Sequence, residues 1–509
     1  MKRFKTTAAL FSVCVGLACT PGRYVPSHYE VDLRVPKALH SIAKDGGLLA
    51  TTSVAETDVE RSRQHVDDGT SPLTVDQVVR SVTSRYPPML SALLENDLAS
   101  GRLTEALGGF DTKVSAKVVD RLRGYYEATT AEGLVEAPLA TGDDIYGGYR
   151  VSDGYLPDYY DGRTQSGGEF VLGVRVPLLR GRSTDARRAA VRKAQIGVEF
   201  AEPEIARARL DYVRAASLAY YKWHAAGQKL GVARELLRLA EARKSGLERA
   251  VERQFKAPID VTDNERLITQ RRIYVTRAER AFQSAALGLS LYYRGDDDRP
   301  VVVGEGRLPE SSGPLRRVTD SVEDALETAK RQRPDFVRIR LLIEDAETDR
   351  ALATNDRLPN LDLIVEGTRS IGDGPYSDRR DHGLFVGGKL SFPVQRRRAT
   401  GKLAIAEAKL AKLALEQRFL EERVTNEMLD IRSALENAAE QLTATERNFE
   451  LAKQLVDAEV RSFELGRSDL LRVQLREAQL ADARVLSIDA RLAYESALAD
   501  YDAMLGNNP

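Results

Sequence analysis

This chain of 509 residues has only two cysteines, Cys14 and Cys19, both close to its start. The rest of it can form no intrachain disulfide, thiolate zinc site or iron–sulfur cluster. Five scattered histidines and four methionines offer little to a metal relay, so no metal or other cofactor is expected. Aromatic residues make up only 6%, with a single Trp, which points to long charged helices rather than one large compact core. An excess of one charge is also missing: 75 Lys+Arg meet 76 Asp+Glu, a net charge of −1. A nucleic-acid binder usually shows a basic surplus, so nucleic acid is not an expected partner. No apolar run reaches the ~18 residues that a transmembrane helix needs. The phosphate-cradling, dinucleotide, zinc-protease and serine-hydrolase signatures are all absent. His224 follows Trp223 in a helical stretch without a spaced partner and reads as a packing residue. No catalytic residue is assigned, and the chain is not expected to be an enzyme.

The first residues read as an address. Lys2, Arg3 and Lys5 form a basic n-region, and Thr6 to Ala18 a short, mostly apolar h-region. Gly16-Leu17-Ala18 places small residues at the −3 and −1 positions that export cleavage requires. Residues 1–18 are thus expected to be a signal peptide, leaving Cys19 first. A cysteine there resembles a bacterial lipoprotein site, which implies lipidation (diacylation, palmitate included) at Cys19. Gly16 departs from that motif, and simple cleavage at the same bond is the alternative. Residues 19–72 lack sustained periodicity and read as a lead segment.

The remainder is a duplication. Leu73-Thr-Val-Asp-Gln-Val-Val79 reaching Pro87 is echoed by Asp320-Ser-Val-Glu-Asp-Ala-Leu326 reaching Pro334. Val174-Arg-Val-Pro177 is echoed by Leu390-Ser-Phe-Pro393, each followed by a basic cluster. Ala257-Pro-Ile-Asp260-Val261 is echoed by Gly466-Arg-Ser-Asp469-Leu470. The order recurs with insertions, as in a repeat architecture. It sets a first repeat at 73–300, a linker at 301–319 and a second repeat at 320–506.

Within each repeat the periodicity switches. Apolar residues alternate with mostly polar ones over 110–118, 169–176, 361–366 and 384–392, the period-two signature of half-buried strands. These runs suit tilted strands that cross a bilayer. Gly147 to Gly168 and Gly372 to Gly383 read as exposed hairpin loops, and about 121–168 is longer than its counterpart. Long helical patterns follow, from about Arg182 to Lys256 and from about Arg396 to Glu464, each spanning roughly 100 Å at 1.5 Å per residue. Gly197 and Pro203 predict a kink or break in the first. Shorter helices are expected over about 75–106, 260–294, 323–356 and 470–505, two of them matching one long helix in length. Ala404, Ala406, Ala408, Ala411 and Ala414 permit close helix approach.

This arrangement resembles the outer-membrane efflux proteins, the TolC-like channel-tunnels of Gram-negative bacteria, over roughly 73–506. Leu358-Pro359-Asn360-Leu361 enters a strand, Leu390-Ser-Phe-Pro393 leaves one, and Phe463-Glu-Leu-Gly466-Arg-Ser-Asp469-Leu-Leu471 makes a helical turn, in the family's order. The resemblance implies a mostly α chain with a small membrane β-barrel part. It implies a homotrimer in which each chain gives four strands to one twelve-stranded barrel in outer-membrane lipid. A coiled-coil tunnel then crosses the periplasm and meets an adaptor (membrane fusion) protein and an inner-membrane transporter. The function so implied is a passive duct for efflux or secretion. A periplasmic coiled-coil adaptor or envelope scaffold is the alternative, although one helical hairpin between Gly-rich β domains would suit it better than two strand-bearing repeats.

Five residues are expected to form the far tip of such a tunnel and its gate: Asp260, Phe463, Gly466, Arg467 and Asp469. Asp260 and Asp469 occupy matching turns, where an Asp can cap a helix start. In a trimer they would also gather into a ring that favours cations. Arg467 could pair across chains, and Gly466 allows a left-handed backbone. Phe463 stands where some members of the family have a Tyr that helps latch the tip.

Overall fold

The computed structural model describes residues 71–156, 163–255, 257–310, 313, 315–373 and 381–506. Gly69–Pro509 forms one unit by its internal contacts. The signal peptide, Cys19 and nearly all of the lead segment lie outside the described residues.

The duplicated landmarks are local stop and start signals. Thr74 caps α1 (Val75–Arg85) through a capping box with Gln77, and Ser321 caps α6 (Val322–Gln332) by accepting the Asp324 N–H at 3.1 Å. Each helix then stops before a proline, because the residue ahead of a proline is driven out of the α region. Tyr86 and Arg333 are accordingly extended, with ψ of 117° and 128°. The chain resumes as α2 (Pro87–Leu93) and α3 (Glu95–Leu107) in one repeat and as α7 (Pro334–Asp356) in the other. The two short helices expected over 75–106 and 323–356 are therefore five helical pieces.

The long helices are α4 (Ala186–Glu252) and α8 (Arg397–Glu464), of 67 and 68 residues. Asp185 fixes the start of α4 by accepting the N–H groups of Arg187 and Arg188 at 2.7 and 3.0 Å, so this helix begins later than expected. The expected break at Pro203 is not there. Pro203 and Ala201 are buried, and packing on neighbouring helices carries α4 past its one missing N–H. Two further helices return along them, α5 (Pro258–Ser290) beside α4 and α9 (Leu470–Leu505) beside α8. Contacts of α4 with α7 and α9 join the repeats.

Each helix buries only a stripe. On α8 it runs Ala399, Ala406, Leu413, Leu420, Met428, Leu435 and Leu442. Seven-residue steps drift by about −20° each, and the single eight-residue step returns about +80°, so the stripe stays on one side of the helix. Of the five alanines singled out on α8, only Ala406 is buried within one chain. The first repeat centres on Trp223, fully buried among Tyr220, Phe282 and Leu289, with its indole N–H donating to the Val303 carbonyl at 3.3 Å. Its counterpart gathers Val424, Met428, Leu435, Tyr494 and Tyr501. The linker takes part in both cores, through Val303 and Leu308 in one and Leu315 and Val318 in the other.

The strands form one antiparallel meander in sequence order. They are β1 (Lys113–Arg121), β2 (Ala128–Pro138), β3 (Asp144–Gly154), β4 (Glu169–Pro177), β5 (Asn360–Ser370) and β6 (His382–Ser391). Six strands stand where four were expected. The first hairpin is not β1 against β4: β2 and β3 lie between them, and Gly147 to Gly154, read as loop, is strand. The physical reason shows at Gly148, where a Cβ would run into the Gly133 carbonyl oxygen on the adjacent strand. Glycine here lets two strand backbones pair closely and does not mark a turn.

Candidate functional site: a two-faced sheet and two helical turns

Register divides the sheet into two unlike faces. One carries Val114 and Val118 of β1, Val135 of β2, Ile145 and Tyr149 of β3, and Phe170 and Leu172 of β4. It continues through Leu363 and Val365 of β5 to Leu384, Val386 and Leu390 of β6. Much of this face is bare: Val114 is 79%, Leu172 66% and Leu384 76% exposed. The opposite face is mostly polar and internally paired. Lys113 lies opposite Glu136 and Lys117 opposite Glu132. Arg150 bonds Glu169 at 2.6 Å, Tyr146 bonds Glu366 at 2.9 Å, and Arg175 meets Asp144 at 2.9 Å. One oily face and one polar face, on strands of 9–11 residues, is the pattern of a membrane barrel wall.

The helical ends of the strands are bound into the helix starts. Arg182 meets Asp143 at 3.3 Å and Arg187 meets Asp144 at 3.0 Å. Arg180 meets Asp356 at 3.3 Å, and Lys402 reaches the same carboxylate at 2.8 Å. The basic cluster that follows Pro177 in the sequence supplies part of this collar.

At the other end of the helices lie the two turns. Asp469 is the N-cap of α9 and accepts the Arg472 N–H at 2.9 Å. Asp260 sits three residues into α5 and reaches back to accept the Ala257 N–H at 3.2 Å. Both carboxylates thus serve helix starts. Gly466 adopts φ of +71°, the left-handed backbone its position calls for. Phe463 is half-buried at the end of α8, while Arg467 is exposed and makes no ion pair among the described residues. The structure of one chain brings no ring together at these turns. It does leave large apolar groups bare on both: Phe255 and Ile259 on one, Leu465 and Leu471 on the other.

A buried ionic cluster ties the helices of the two turns together, and the sequence reading does not contain it. Glu477 of α9 accepts from Arg243 of α4 and, at 3.4 Å, from Arg271 of α5. Arg271 also donates to the Leu236 carbonyl, and Asn264 donates to that of Ala240 at 3.2 Å. Burial, with the nearby Arg243 guanidinium, pushes Arg271 down to about 10, so it stays charged at neutral pH. Burial lowers Arg243 as well. A signal for this exists. Val473, Glu477 and Ala481 continue one buried stripe, as do Asn264, Ile268, Arg271 and Phe282, and polar residues at such positions need partners.

His224 is buried, stacked on Tyr220 and 3.2 Å from Gln228, with burial lowering its pKa; it packs, as expected. Among the described residues no group of three or more His, Cys, Asp or Glu could hold a metal ion, and no helix is long and apolar enough to cross a membrane.

Comparison with known proteins agrees with this architecture. Residues 325–507 match the family described as outer membrane efflux protein. No curated protein matches the chain. Among solved structures, the outer membrane protein VceC of Vibrio cholerae superposes with a TM-score of 0.59 at 15% identity, covering 85% of this chain and 96% of its own. The open-state MtrE outer membrane channel of Neisseria gonorrhoeae gives 0.61 at 13%, covering 85% and 89%. The CmeC outer membrane channel of Campylobacter jejuni gives 0.60 at 14%, covering 96% and 94%. The resemblance drawn from the sequence is thereby borne out. The second repeat matches the efflux family, and the chain has the fold of outer-membrane channels.

Proposed function

We propose that this chain is an outer-membrane channel-tunnel, a passive duct for efflux or secretion and not an enzyme. Energy comes from an inner-membrane transporter, reached through a periplasmic adaptor. The observation that carries the reading is the sheet. It has a continuous apolar face, a mostly polar face and, among the described residues, two unpaired edges at β1 and β6. Six strands do not close a barrel of useful bore, and an open edge in lipid leaves backbone groups unsatisfied, so other copies must complete the wall. On α8, Ile405, Leu415 and Phe419 are exposed, which supplies a second surface for another copy. Three copies, as the resemblance implies, make the homotrimer. The bare apolar groups at both turns suit the docking of an adaptor. A coiled-coil adaptor or scaffold has no use for membrane-length strands with an oily face.

The test is mass measurement in mild detergent, where three chains are expected. A stable monomer that stays soluble without detergent sinks the reading. The same preparation shows whether residues 1–18 are lost and whether Cys19 carries the added mass of acyl chains. An unmodified Cys19 removes the lipoprotein proposal and leaves the duct untouched.

At the turns, we propose that the trimer gathers Asp260 and Asp469 into a cation-favouring constriction that Arg467 helps to hold shut, with Gly466 and Phe463 shaping the turn. In planar bilayers, Asp469→Ala should weaken cation preference and Arg467→Ala should raise conductance. If both keep wild-type conductance and selectivity, the carboxylates are caps only, each worth about 0.5–2 kcal/mol to its helix.

A further inference from the structure

We infer that all six strands are barrel staves, so that three chains close an eighteen-stranded wall, not a twelve-stranded one. The inference rests on the trimeric duct reading and goes beyond it. It concerns β1 and β2, which lie outside the four strands nearest the second repeat's hairpin.

Three observations place them in the wall. The first is the register. Val114, Val118 and Val135 continue the same apolar face as Phe170, Leu172 and Leu384, while Lys113, Lys117, Glu132 and Glu136 continue the polar one. A flap folded into water or into the pore would have no reason to keep that division across β1 and β2. Unlike charges stand directly opposite each other on the side that would face the lumen, a placement that favours the pairing of these strands.

The second is an aromatic rim. At the ends remote from the helices, Tyr125, Tyr126 and Tyr155 cluster, with ring centroids 4.8 and 6.2 Å apart. They belong to the β1–β2 connection and to the exit of β3. Tyr125 and Tyr155 are exposed, as is Leu122 beside them. Aromatic girdles of this kind sit where a barrel wall meets the headgroups. At the helical ends Phe110 and Phe392 lie under Arg187 and Arg396, at 5.8 and 5.9 Å. Strands of 9–11 residues between two such rims, tilted about 45°, cover an apolar band of about 25 Å.

The third is anchorage. The β2–β3 turn is held to the start of α4 by the Arg182–Asp143 and Arg187–Asp144 pairs, and Arg188 donates to the Thr141 carbonyl at 3.3 Å. The added strands therefore share the base on which β4 stands.

Closure is consistent in direction. In a meander of six, β1 and β6 run antiparallel, so β1 of one copy can pair with β6 of the next in the ordinary antiparallel way. Barrel diameter grows roughly in proportion to strand number, so the bore is about one and a half times that of a twelve-stranded wall. Barrels of 16–18 strands leave an aqueous channel, so large solutes could leave through the membrane part without a further opening step.

The experiment is disulfide trapping between copies of the full chain in membranes. Ala116→Cys or Val118→Cys on β1 is combined with Leu384→Cys or Val386→Cys on β6, with single variants controlling for Cys14 and Cys19. A dimer-to-trimer ladder from the β1–β6 pairs is expected. Ile145→Cys and Val151→Cys are the probes on β3, each combined with the same β6 variants. A ladder from β3–β6 pairs, with none from β1–β6, overturns the inference and returns the wall to four staves per chain while leaving the trimeric duct standing. Membrane-bound trimers that give no ladder from any pair also overturn it, since β1 then has no neighbouring β6. Protein that gives no ladder and fractionates away from membranes overturns the duct reading itself.

Discussion

Glu477→Ala is expected to destabilise the helical part of the protein by about 3–5 kcal/mol, because it leaves the buried Arg271 guanidinium facing the half-buried Arg243 guanidinium without their shared anion. Arg271 is then the worse placed, buried and already lowered by Arg243. The measurement is denaturant unfolding of the purified protein in detergent, followed by helical circular dichroism. Glu477→Gln keeps one acceptor and should fall between the wild type and the alanine variant. A discriminating control replaces the whole cluster, Arg243→Met, Arg271→Met and Glu477→Leu together. Removing every charge can be neutral or stabilising, so this variant should recover most of the loss. If Glu477→Ala unfolds with the wild type, the cluster is solvated in the assembled protein and does not join the helices. This contact differs in kind from the surface pairs that also link the repeats, such as Arg214–Asp500 and Lys229–Asp489, both at 2.5 Å. Exposed pairs of that sort contribute about 0–1 kcal/mol each.

The second large effect belongs to the oily face. Leu172→Arg places a charge in the middle of β4, where the proposed wall meets hydrocarbon, at a cost of about 2–4 kcal/mol near the midplane. Each copy carries the substitution, so the penalty recurs around the wall. The expected result is a trimer that falls apart at much lower temperature on semi-native gels, or that fails to reach the membrane. Thr368→Arg is the control. Thr368 lies opposite Val171 on the adjacent strand and so belongs to the polar face. It should leave assembly intact and alter only the conductance. Equal damage from both would mean that the faces are wrongly assigned.

Much of this is legible in the sequence because the signals are local. The helix starts near 75 and 323 and the strands with clear alternation are placed within a few residues, although Pro87 and Pro334, read as lying within helices, divide them. The left-handed Gly466 and the packing of His224 are legible in the same way. What escapes depends on partners distant in sequence. The β2 strand begins Ala128-Thr-Thr-Ala131 and ends in Pro138, and β3 contains Gly147-Gly148, so neither carries a strong period-two pattern. They are strands because β1 and β4 offer them edges. Pro203 predicts a kink or break from chemistry confined to its own helix, and burial against neighbours keeps the helix continuous. Glu477 looks like one more surface charge until Arg243 and Arg271 arrive from other helices. The ring proposed at the turns lies beyond a single chain altogether.

The order of the strands has a consequence for how the chain is built. The β3 and β4 strands can pair as soon as they emerge, as can β1 and β2. The partner of β4 on its other side is β5, and between Pro177 and Asn360 the chain must first make α4, α5, α6 and α7. Loop closure over that distance is slow, because its entropy must be met before any ladder bond forms. Through that interval a four-stranded part of the sheet, with an oily face and a bare edge, travels with the newly made helices. Such a species is prone to aggregate, so a holding partner is needed earliest at β4. The first core adds to the delay, since Val303 and Leu308 complete it only after α5 has been made.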